Sequence, residues 1–460
     1  MDTRKETDPL GERLIPKNAY YGIQTARAVE NFPVSGLVAP IQIIKAYVLI
    51  KKVAATVNME VGWLDKQIGS VIIQACNEIL EDKLVDQFIV DVFQAGAGTS
   101  FNMNTNEVLA NRALEMLGKE KGDYHSVSPN DHVNMAQSTN DTYPTALHVS
   151  VLMALQPLLT ALDELAAAFE ALGKQNLHVL KSGRTHLQDA VPVTIGQEFT
   201  AYGSVIKNAA AELRRRQKNL YPIALGGTAT GTGVNTHPDY KHLAVSKLAK
   251  LTGFPLKPAE DSFEALQSHR RAQTVSSGLK ELALELIRIA NDLRLFASGP
   301  TTGIKEITLP PVQPGSSIMP GKVNPVMAEC LNMIAYQVVG ADAAISLAVQ
   351  AGQIDLNVMT PVIAYNMLFS IKILSSYLPV FTEKCIKGII VDKNRCEQYL
   401  EKNPSLSTLL APTIGYLEAA KIAKQAQAEN RTIKDVAIEK GIDPIVLEKV
   451  FSRKNLLNEN

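Results

Sequence analysis

Residues 315–325, which read GSSIMPGKVNP, include the side chains best suited to chemistry on a small anion. The glycines and prolines predict a loop that can open and close, because neither residue supports a continuous helix or strand. Lys322 and Asn324 together could hold a carboxylate through charge-assisted hydrogen bonds. A serine hydroxyl, from Ser316 or Ser317, would act as a base if backbone N–H groups stabilised its alkoxide. Taken alone, this stretch predicts a mobile loop that binds an anion.

Small hydrogen-bonding residues also collect in four further segments, at 94–106, 134–145, 181–197 and 225–236. Connecting loops ordinarily collect such residues, so each segment by itself has a plain structural interpretation. Five segments of this kind in one mostly helical chain favour a polar site that is assembled from loops.

The segments that must position these loops have the apolar spacing of amphipathic helices. The clearest are 151–172, which is followed by Gly173, and 279–296, which is followed by Gly299 and Pro300. Similar spacing occurs over roughly 40–60, 106–117, 198–219, 326–350 and 361–385. Alternating strand patterns are scarce. The sequence therefore predicts an all-α fold with long helices in a bundle.

We expect three helical domains, namely residues 1–140, a central long-helix bundle at 141–392, and a small domain at 393–460. The last domain has short helical patterns on both sides of Gly441. Within it, Asp443 and Pro444 are spaced as the N-cap and first residue of a helix.

Charge and composition exclude several classes of protein. The 46 Lys and Arg residues balance 46 Asp and Glu residues, which argues against a nucleic-acid-binding surface. No stretch approaches the 18 or so apolar residues that a membrane span needs, so no membrane partner is expected. The N-terminus is charged and lacks the apolar core of a signal peptide. The four cysteines lack CxxC spacing, which predicts free thiols in a reducing cytoplasm.

Beyond these physical arguments, GSSIMPGKVNP resembles, without a gap, the signature loop of the aspartase/fumarase superfamily. Three other stretches resemble further site segments of that superfamily in the same order: GAGTSFNMN at 96–104, QSTND at 137–141 and GRTHLQD at 183–189. The resemblance runs from about residue 10 to about residue 390. It implies an L-aspartase-like fold with three helical domains.

Within the superfamily, the chain is more similar to the aspartase branch. The opening segment YYGIQT at 20–25, the Ser138-Thr139-Asn140 triplet and Leu187-Gln188 all resemble aspartases. This resemblance implies reversible elimination of ammonia from L-aspartate to give fumarate. The alternative is a class II fumarase, which hydrates fumarate, since LGGTA at 225–229 looks more like fumarases.

Two positions depart from both branches. Thr301 stands where an arginine is usual, and Ala411 stands where an asparagine is usual. These departures lie outside the four site segments, so they put substrate preference in doubt more than the type of reaction.

The resemblance also implies a role for individual residues. The catalytic residues would be Ser316, as the general base that takes the C3 proton, together with His186 and Lys322. The β-carboxylate would be held by Thr99, Ser138, Thr139 and Ser317. The α-carboxylate would be held by Thr185, Lys322 and Asn324. Asn140 and His186 would lie near the leaving amino group. Glu329 would pair with His186. Neither a metal nor a cofactor is expected.

The expected partners are the small molecules L-aspartate, fumarate and ammonia, and further copies of the chain. The resemblance implies a homotetramer in which each active site draws loops from three subunits. Loops spread over about 230 residues, at the ends of long helices, would not easily meet within one chain.

Overall fold

The structure is a computed structural model that describes residues 2–458. Helices dominate the described chain, which confirms the all-α prediction. In chain order they are α1 (Ile23–Asn31), α2 (Ile41–Glu60), α3 (Lys66–Leu80), α4 (Thr99–Met116), α5 (Thr139–Gln175), α6 (Ile195–Arg216), α7 (Tyr240–Thr252), α8 (Ser262–Gln267), α9 (Arg270–Phe296), α10 (Val326–Gln350), α11 (Thr360–Lys384), α12 (Lys393–Glu401), α13 (Ala411–Ile414), α14 (Tyr416–Glu429), α15 (Ile433–Glu439), α16 (Pro444–Val450) and α17 (Arg453–Leu456).

The strands form four small two-stranded sheets within the described residues. They are β1 (Thr3–Asp8), β2 (Gly11–Pro16), β3 (Leu180–Thr185), β4 (Gln188–Thr194), β5 (Pro222–Ile223), β6 (Lys257–Pro258), β7 (Ile307–Thr308) and β8 (Ile390–Val391). The pairs β1–β2, β3–β4 and β7–β8 are antiparallel, and β5–β6 is parallel.

The longest helix, α5, differs from its predicted extent at both ends. It begins at Thr139 and continues through Gly173, which had been expected to stop it. A side chain at Gly173 would lie 2.8 Å from the Gly196 carbonyl oxygen. Gly173 therefore allows close approach of the backbone of α6, so its absent side chain serves packing and does not end the helix.

The contacts among the described residues divide them into two units. Unit 1 takes its residues from Met1–Thr160, Ala211–Leu284 and Ala335–Ser375, and unit 2 from Ala161–Ala210, Glu285–Ile334 and Ser376–Asn460. The three-domain division proposed from the sequence stays a prediction.

Each unit has its own buried aromatic and aliphatic core. In unit 1 the rings of Tyr47 and Phe101 meet edge to face, with centroids 5.2 Å apart. In unit 2 the rings of Phe169 and Tyr202 meet in the same way at 5.7 Å. Such pairs add specific geometry to the hydrophobic effect that holds the helices together.

The C-terminal helices of unit 2 pack around a second apolar cluster, with Leu410, Val436 and Leu447 fully buried. The predicted start of α16 is confirmed, because the Asp443 carboxylate accepts a hydrogen bond from the Ile445 N–H at 2.8 Å. Pro444 occupies the first helical position, where its missing N–H costs nothing.

Three helical segments are long and apolar enough, by length and composition, to cross a membrane: Thr139–Gln175, Val326–Gln350 and Thr360–Gly388. The expectation that no stretch reaches that length was wrong, because these helices carry apolar residues around most of their circumference. The most apolar window of the first is 78% buried, whereas that of the second is only 39% buried.

Candidate active site

The loop between β7 and α10 holds the Ser316 hydroxyl in a nest of backbone N–H groups. Its Oγ accepts hydrogen bonds from the N–H of Ile318 at 3.2 Å and the N–H of Met319 at 3.0 Å. Ser316 itself is half-buried. Two aligned N–H dipoles favour a negative charge on this oxygen, which is what a serine needs to act as a base.

The two ends of this loop are joined at its base. The Gly315 N–H donates to the Lys322 carbonyl oxygen at 2.8 Å, and the Asn324 side chain donates to the Gly315 carbonyl oxygen at 2.6 Å. A side chain at residue 315 would overlap the Lys322 carbonyl oxygen, so only glycine permits this closure. Because the two ends of the loop are joined, the short arc that presents Ser316 is fixed.

A cleft of about 570 Å³ opens beside the loop in unit 2. Lys322, Asn324 and Glu329, all predicted from the sequence, line it. Arg294 and Lys305 also line it, and the sequence did not single them out. Three cations against one carboxylate make the cleft attractive to an anion.

Thr185 and His186 lie at the tip of the β3–β4 hairpin, also in unit 2. Thr185 ends β3 and pairs with Gln188, so His186 and Leu187 form a two-residue turn. Both turn residues have positive φ, 56° and 57°, and both are exposed. This pattern belongs to type I′ hairpin turns, which usually use Gly or Asn. Two bulkier residues in this conformation store strain, as functional sites often do.

In unit 1, Thr99 is the first residue of α4 and its side chain is exposed. Gly98 precedes it with a φ of 84°, and a side chain there would overlap the ring of Tyr143 on α5. The Gln94 side chain accepts the Phe101 N–H at 2.8 Å and satisfies one free donor of the first turn. Thr99 is thus presented at the N-terminus of a helix, where partial positive charge favours an anion.

Ser138, Thr139 and Asn140 form the start of α5 in the same unit. The buried Asp141 carboxylate accepts the N–H of Ser138 at 3.0 Å, and the Ser138 Oγ accepts the N–H of Asn140 at 3.2 Å. The Asn140 side chain donates to the Ala229 carbonyl oxygen at 2.8 Å. These bonds fix the first turn of α5 and join it to the 225–236 segment.

Asp141 is a residue whose role the sequence argument missed. Its carboxylate also accepts the N–H groups of Gly226 at 2.8 Å and Thr228 at 3.1 Å. Burial raises its pKa to about 6, while the backbone hydrogen bonds oppose that rise. The signal was available, because a serine followed three residues later by an acid is a capping box.

The predicted site residues therefore fall into groups within the units. Unit 1 holds Thr99, Ser138, Thr139 and Asn140, whereas unit 2 holds Thr185, His186, Ser316, Ser317, Lys322, Asn324 and Glu329. No hydrogen bond or ion pair joins Glu329 and His186 within the described part of a single chain, so their pairing stays a prediction.

Three of the segments predicted to be loops are in part helix or strand. Thr99, Thr139 and Asn140 lie in the first turns of helices, and Thr185 ends a strand. The polar residues of a helix's first turn interrupt the apolar periodicity, so the sequence pattern looked like loop.

Among residues 2–458, no group of three or more His, Cys, Asp or Glu side chains is arranged to hold a metal ion. The four cysteines are free thiols, and Cys76, Cys385 and Cys396 are buried.

Comparison with known proteins identifies the family. Residues 11–340 match the lyase family, and residues 406–458 match the family described as the fumarase C C-terminus. The chain belongs to the aspartase/fumarase superfamily. Members of this superfamily are lyases, and this chain is a carbon–nitrogen lyase.

Individual superfamily members are similar over nearly the whole chain. An aspartate ammonia-lyase from Bacillus sp is 49% identical over 96% of this chain and 94% of its own length. The aspartate ammonia-lyase of Escherichia coli strain K12 is 44% identical over 99% and 96%.

Solved structures of the superfamily have the same fold. A fumarate lyase:delta crystallin from Brucella melitensis bound to cobalt has a TM-score of 0.95 and 46% identity, covering 98% of both chains. A class II fumarase from Schistosoma mansoni has a TM-score of 0.96 and 34% identity, covering 100% of both chains.

Proposed function

We propose that this lyase eliminates ammonia from L-aspartate to give fumarate, and that Ser316 is the base. Relatives that carry the name aspartate ammonia-lyase are 44–49% identical over nearly the whole chain. The observation that carries the proposed mechanism is the Ser316 Oγ, which accepts two backbone N–H groups in a loop beside a cationic cleft.

The difficult step is removal of a proton from C3 of aspartate. The resulting carbanion is stabilised only by delocalisation into the β-carboxylate, which becomes a doubly negative aci-carboxylate. An enzyme lowers this barrier by holding fixed donors where the charge develops. In this proposal the donors are Thr99, Ser138, Thr139 and Ser317. Helix α4 begins at Thr99, so its N-terminal dipole supports the same charge.

The remaining residues orient the substrate and its leaving group. Thr185, Lys322 and Asn324 hold the α-carboxylate in this proposal, and the Lys322 cation supplies the counter-charge. Asn140 and His186 lie beside the amino group that leaves. Glu329 would orient the His186 ring and select its tautomer.

A complete site requires further copies of the chain in this proposal. Helix α10 exposes Met333, Tyr336 and Leu347, at 63%, 55% and 67% of their surfaces. These residues follow the helical repeat, so they form an apolar stripe on one face of the helix. Its exposure to water is unfavourable. We infer that such stripes pack together in a homotetramer and that each site draws loops from three subunits.

We also propose that the enzyme acts in the cytoplasm. The four cysteines are free thiols, which suit a reducing compartment.

The test is the ultraviolet absorbance of fumarate, followed with L-aspartate or L-malate as the only substrate. Wild type is measured beside Ser316→Ala. Fumarate from aspartate, reduced by roughly 10³-fold or more in the variant, is the expected result. Fumarate from malate alone would instead identify a fumarase, and an unimpaired Ser316→Ala variant would remove Ser316 as the base.

A further inference from the structure

Four charged side chains meet beneath the hairpin that carries Thr185 and His186. Lys181 and Arg184 lie on β3, Glu198 lies on α6, and Glu306 immediately precedes β7. The side chains of Lys181 and Glu306 are fully buried. Since a buried charge is tolerated only when it is paired, the position of each group depends on the others.

Glu306 is the centre of this group. One of its carboxylate oxygens lies 3.0 Å from the Lys181 Nζ and the other lies 2.8 Å from an Arg184 guanidinium nitrogen. Lys181 also contacts both Glu198 oxygens at 2.9 Å. The two cations that Glu306 holds are three residues apart on one strand, so the carboxylate fixes the strand at two points.

The backbone of Glu306 is itself fixed. Its N–H donates to the Phe296 carbonyl oxygen at 3.0 Å, and its carbonyl oxygen accepts the Asp392 N–H at 2.8 Å. The backbone that carries the carboxylate is therefore held in place within unit 2. The strand that the carboxylate contacts has an irregularity near its tip.

The irregularity lies between Ser182 and Arg184, where the register with β4 shifts. A side chain at Gly183 would lie 2.6 Å from the Val191 carbonyl oxygen, so glycine is required there. A bulge redirects the residues that follow it. Arg184 is the first residue beyond the shift, and Thr185 is the next.

We propose that Glu306 is a positioning residue of the reaction, which holds the Thr185–His186 turn in its working orientation through Lys181 and Arg184. The inference rests on the proposed function, in which Thr185 and His186 contact the substrate. The turn is strained because both of its central residues have positive φ, and a strained turn persists only when its surroundings determine it fully.

The experiment is a double-mutant cycle on kcat/KM. Glu306→Gln keeps the shape of the side chain and removes its charge. It is introduced into the native chain and into a chain that carries Thr185→Ala and His186→Ala. We expect a loss of roughly 10- to 100-fold in the native background, the scale of a small misplacement of catalytic groups. In the second background we expect less than about a threefold loss, because the groups being positioned are already gone.

A matched control removes a buried carboxylate elsewhere. Asp342 accepts from Ser276 and Lys280, both at 2.6 Å, in unit 1. Asp342→Asn should leave kcat/KM within about twofold while lowering stability, as loss of a buried charged partner does. Equal losses from Glu306→Gln in both backgrounds, or no loss in the native one, overturn the inference.

Hydrogen exchange followed by mass spectrometry gives a readout that needs no turnover. Glu306→Gln should speed amide exchange in residues 180–194 and leave α4 unchanged. Uniformly faster exchange throughout unit 2, or none, contradicts positioning. If Glu306→Gln does not fold, Arg184→Lys, which keeps the charge but replaces the planar guanidinium that contacts Glu306, is judged by the same criteria.

The outcomes for substrate and for positioning are separable. If wild type makes fumarate from malate alone, the cycle is run with malate and only the proposed substrate is overturned. If it turns over neither, the exchange experiment decides the positioning role.

Discussion

The Asn324 side chain closes the loop that carries Ser316, by donating to the Gly315 carbonyl oxygen at 2.6 Å. An amide nitrogen has a second N–H, which remains able to donate to a carboxylate. Asn324 therefore combines two tasks. It fixes the arc that presents the base, and in the proposed mechanism it binds the α-carboxylate.

We expect Asn324→Ala to lower kcat/KM by roughly 10- to 100-fold, since it removes one structural bond and one bond to charged substrate. Fumarate formation from aspartate measures the effect. Asn176→Ala is the control, because Asn176 also donates to a carbonyl oxygen, that of Leu172 at 2.8 Å, but at the end of α5. Comparable losses in both variants would contradict a role for Asn324 in the site.

Gly315 and Gly321 lie at opposite ends of the same arc, and we expect alanine to have different effects at the two positions. A side chain at residue 315 would overlap the Lys322 carbonyl oxygen, whereas nothing lies within 4 Å of one at residue 321. Gly321 has a φ of 80°, so alanine there costs only the strain of that conformation, about 1 kcal/mol. Gly315→Ala should thus lower kcat far more than Gly321→Ala, with near-native thermal unfolding in both. The reverse order would show that the contact between the two ends of the loop is unimportant for catalysis.

The helices that could be predicted from the sequence are those whose extent is set by a local apolar pattern. The apolar repeat of α10 was predicted at 326–350, and the helix spans those residues. The start of α4 was predicted seven residues late, because Thr99, Asn102 and Asn104 interrupt the apolar repeat. Asn102 and Asn104 are buried and hydrogen-bonded through their side chains, and these interactions, not hydrophobicity, keep that stretch helical.

Contacts between residues far apart in sequence could not be predicted in this way. Glu306 meets Lys181 and Arg184 only because the chain folds back on itself. No spacing rule connects these residues, and a charged residue in a sequence usually indicates a surface. The type I′ turn at His186 was missed for a similar reason, since neither His nor Leu is typical of it.

Asp141 joins the start of α5 to the 225–236 segment, so its loss should affect both stability and substrate binding. Asp141→Ala would leave the N–H groups of Ser138, Gly226 and Thr228 without their acceptor, at a cost of about 3 kcal/mol or more. The KM for aspartate should rise, because Ser138 and Thr139 would lose their fixed orientation.

The matched control for this prediction is Asp261→Ala, which removes the N-cap of α8. Asp261 accepts from Phe263 and Glu264 but is exposed. It should cost about 1 kcal/mol and leave KM unchanged. An unchanged KM in Asp141→Ala would show that its hydrogen bonds serve stability alone.

Because His148 and His269 are buried, we expect the free energy of unfolding to fall in acid. Burial, with a smaller effect from the nearby His269 and Arg271, lowers the pKa of His148 to about 3. Burial lowers the pKa of His269 to about 4. In the unfolded chain both titrate near 6.5. The unfolded state therefore binds more protons, and the stability present above pH 6.5 is lost as the pH falls towards 4 and then 3.

Each histidine should contribute about 1.4 kcal/mol per pH unit to this loss. Denaturant unfolding between pH 7 and pH 5 measures it, with His148→Gln beside wild type. The variant should lose about 2 kcal/mol less than wild type over that range, because glutamine does not titrate there. His125→Gln, at an exposed position, should follow the wild-type curve. Parallel curves for His148→Gln and wild type would show that His148 becomes protonated without unfolding.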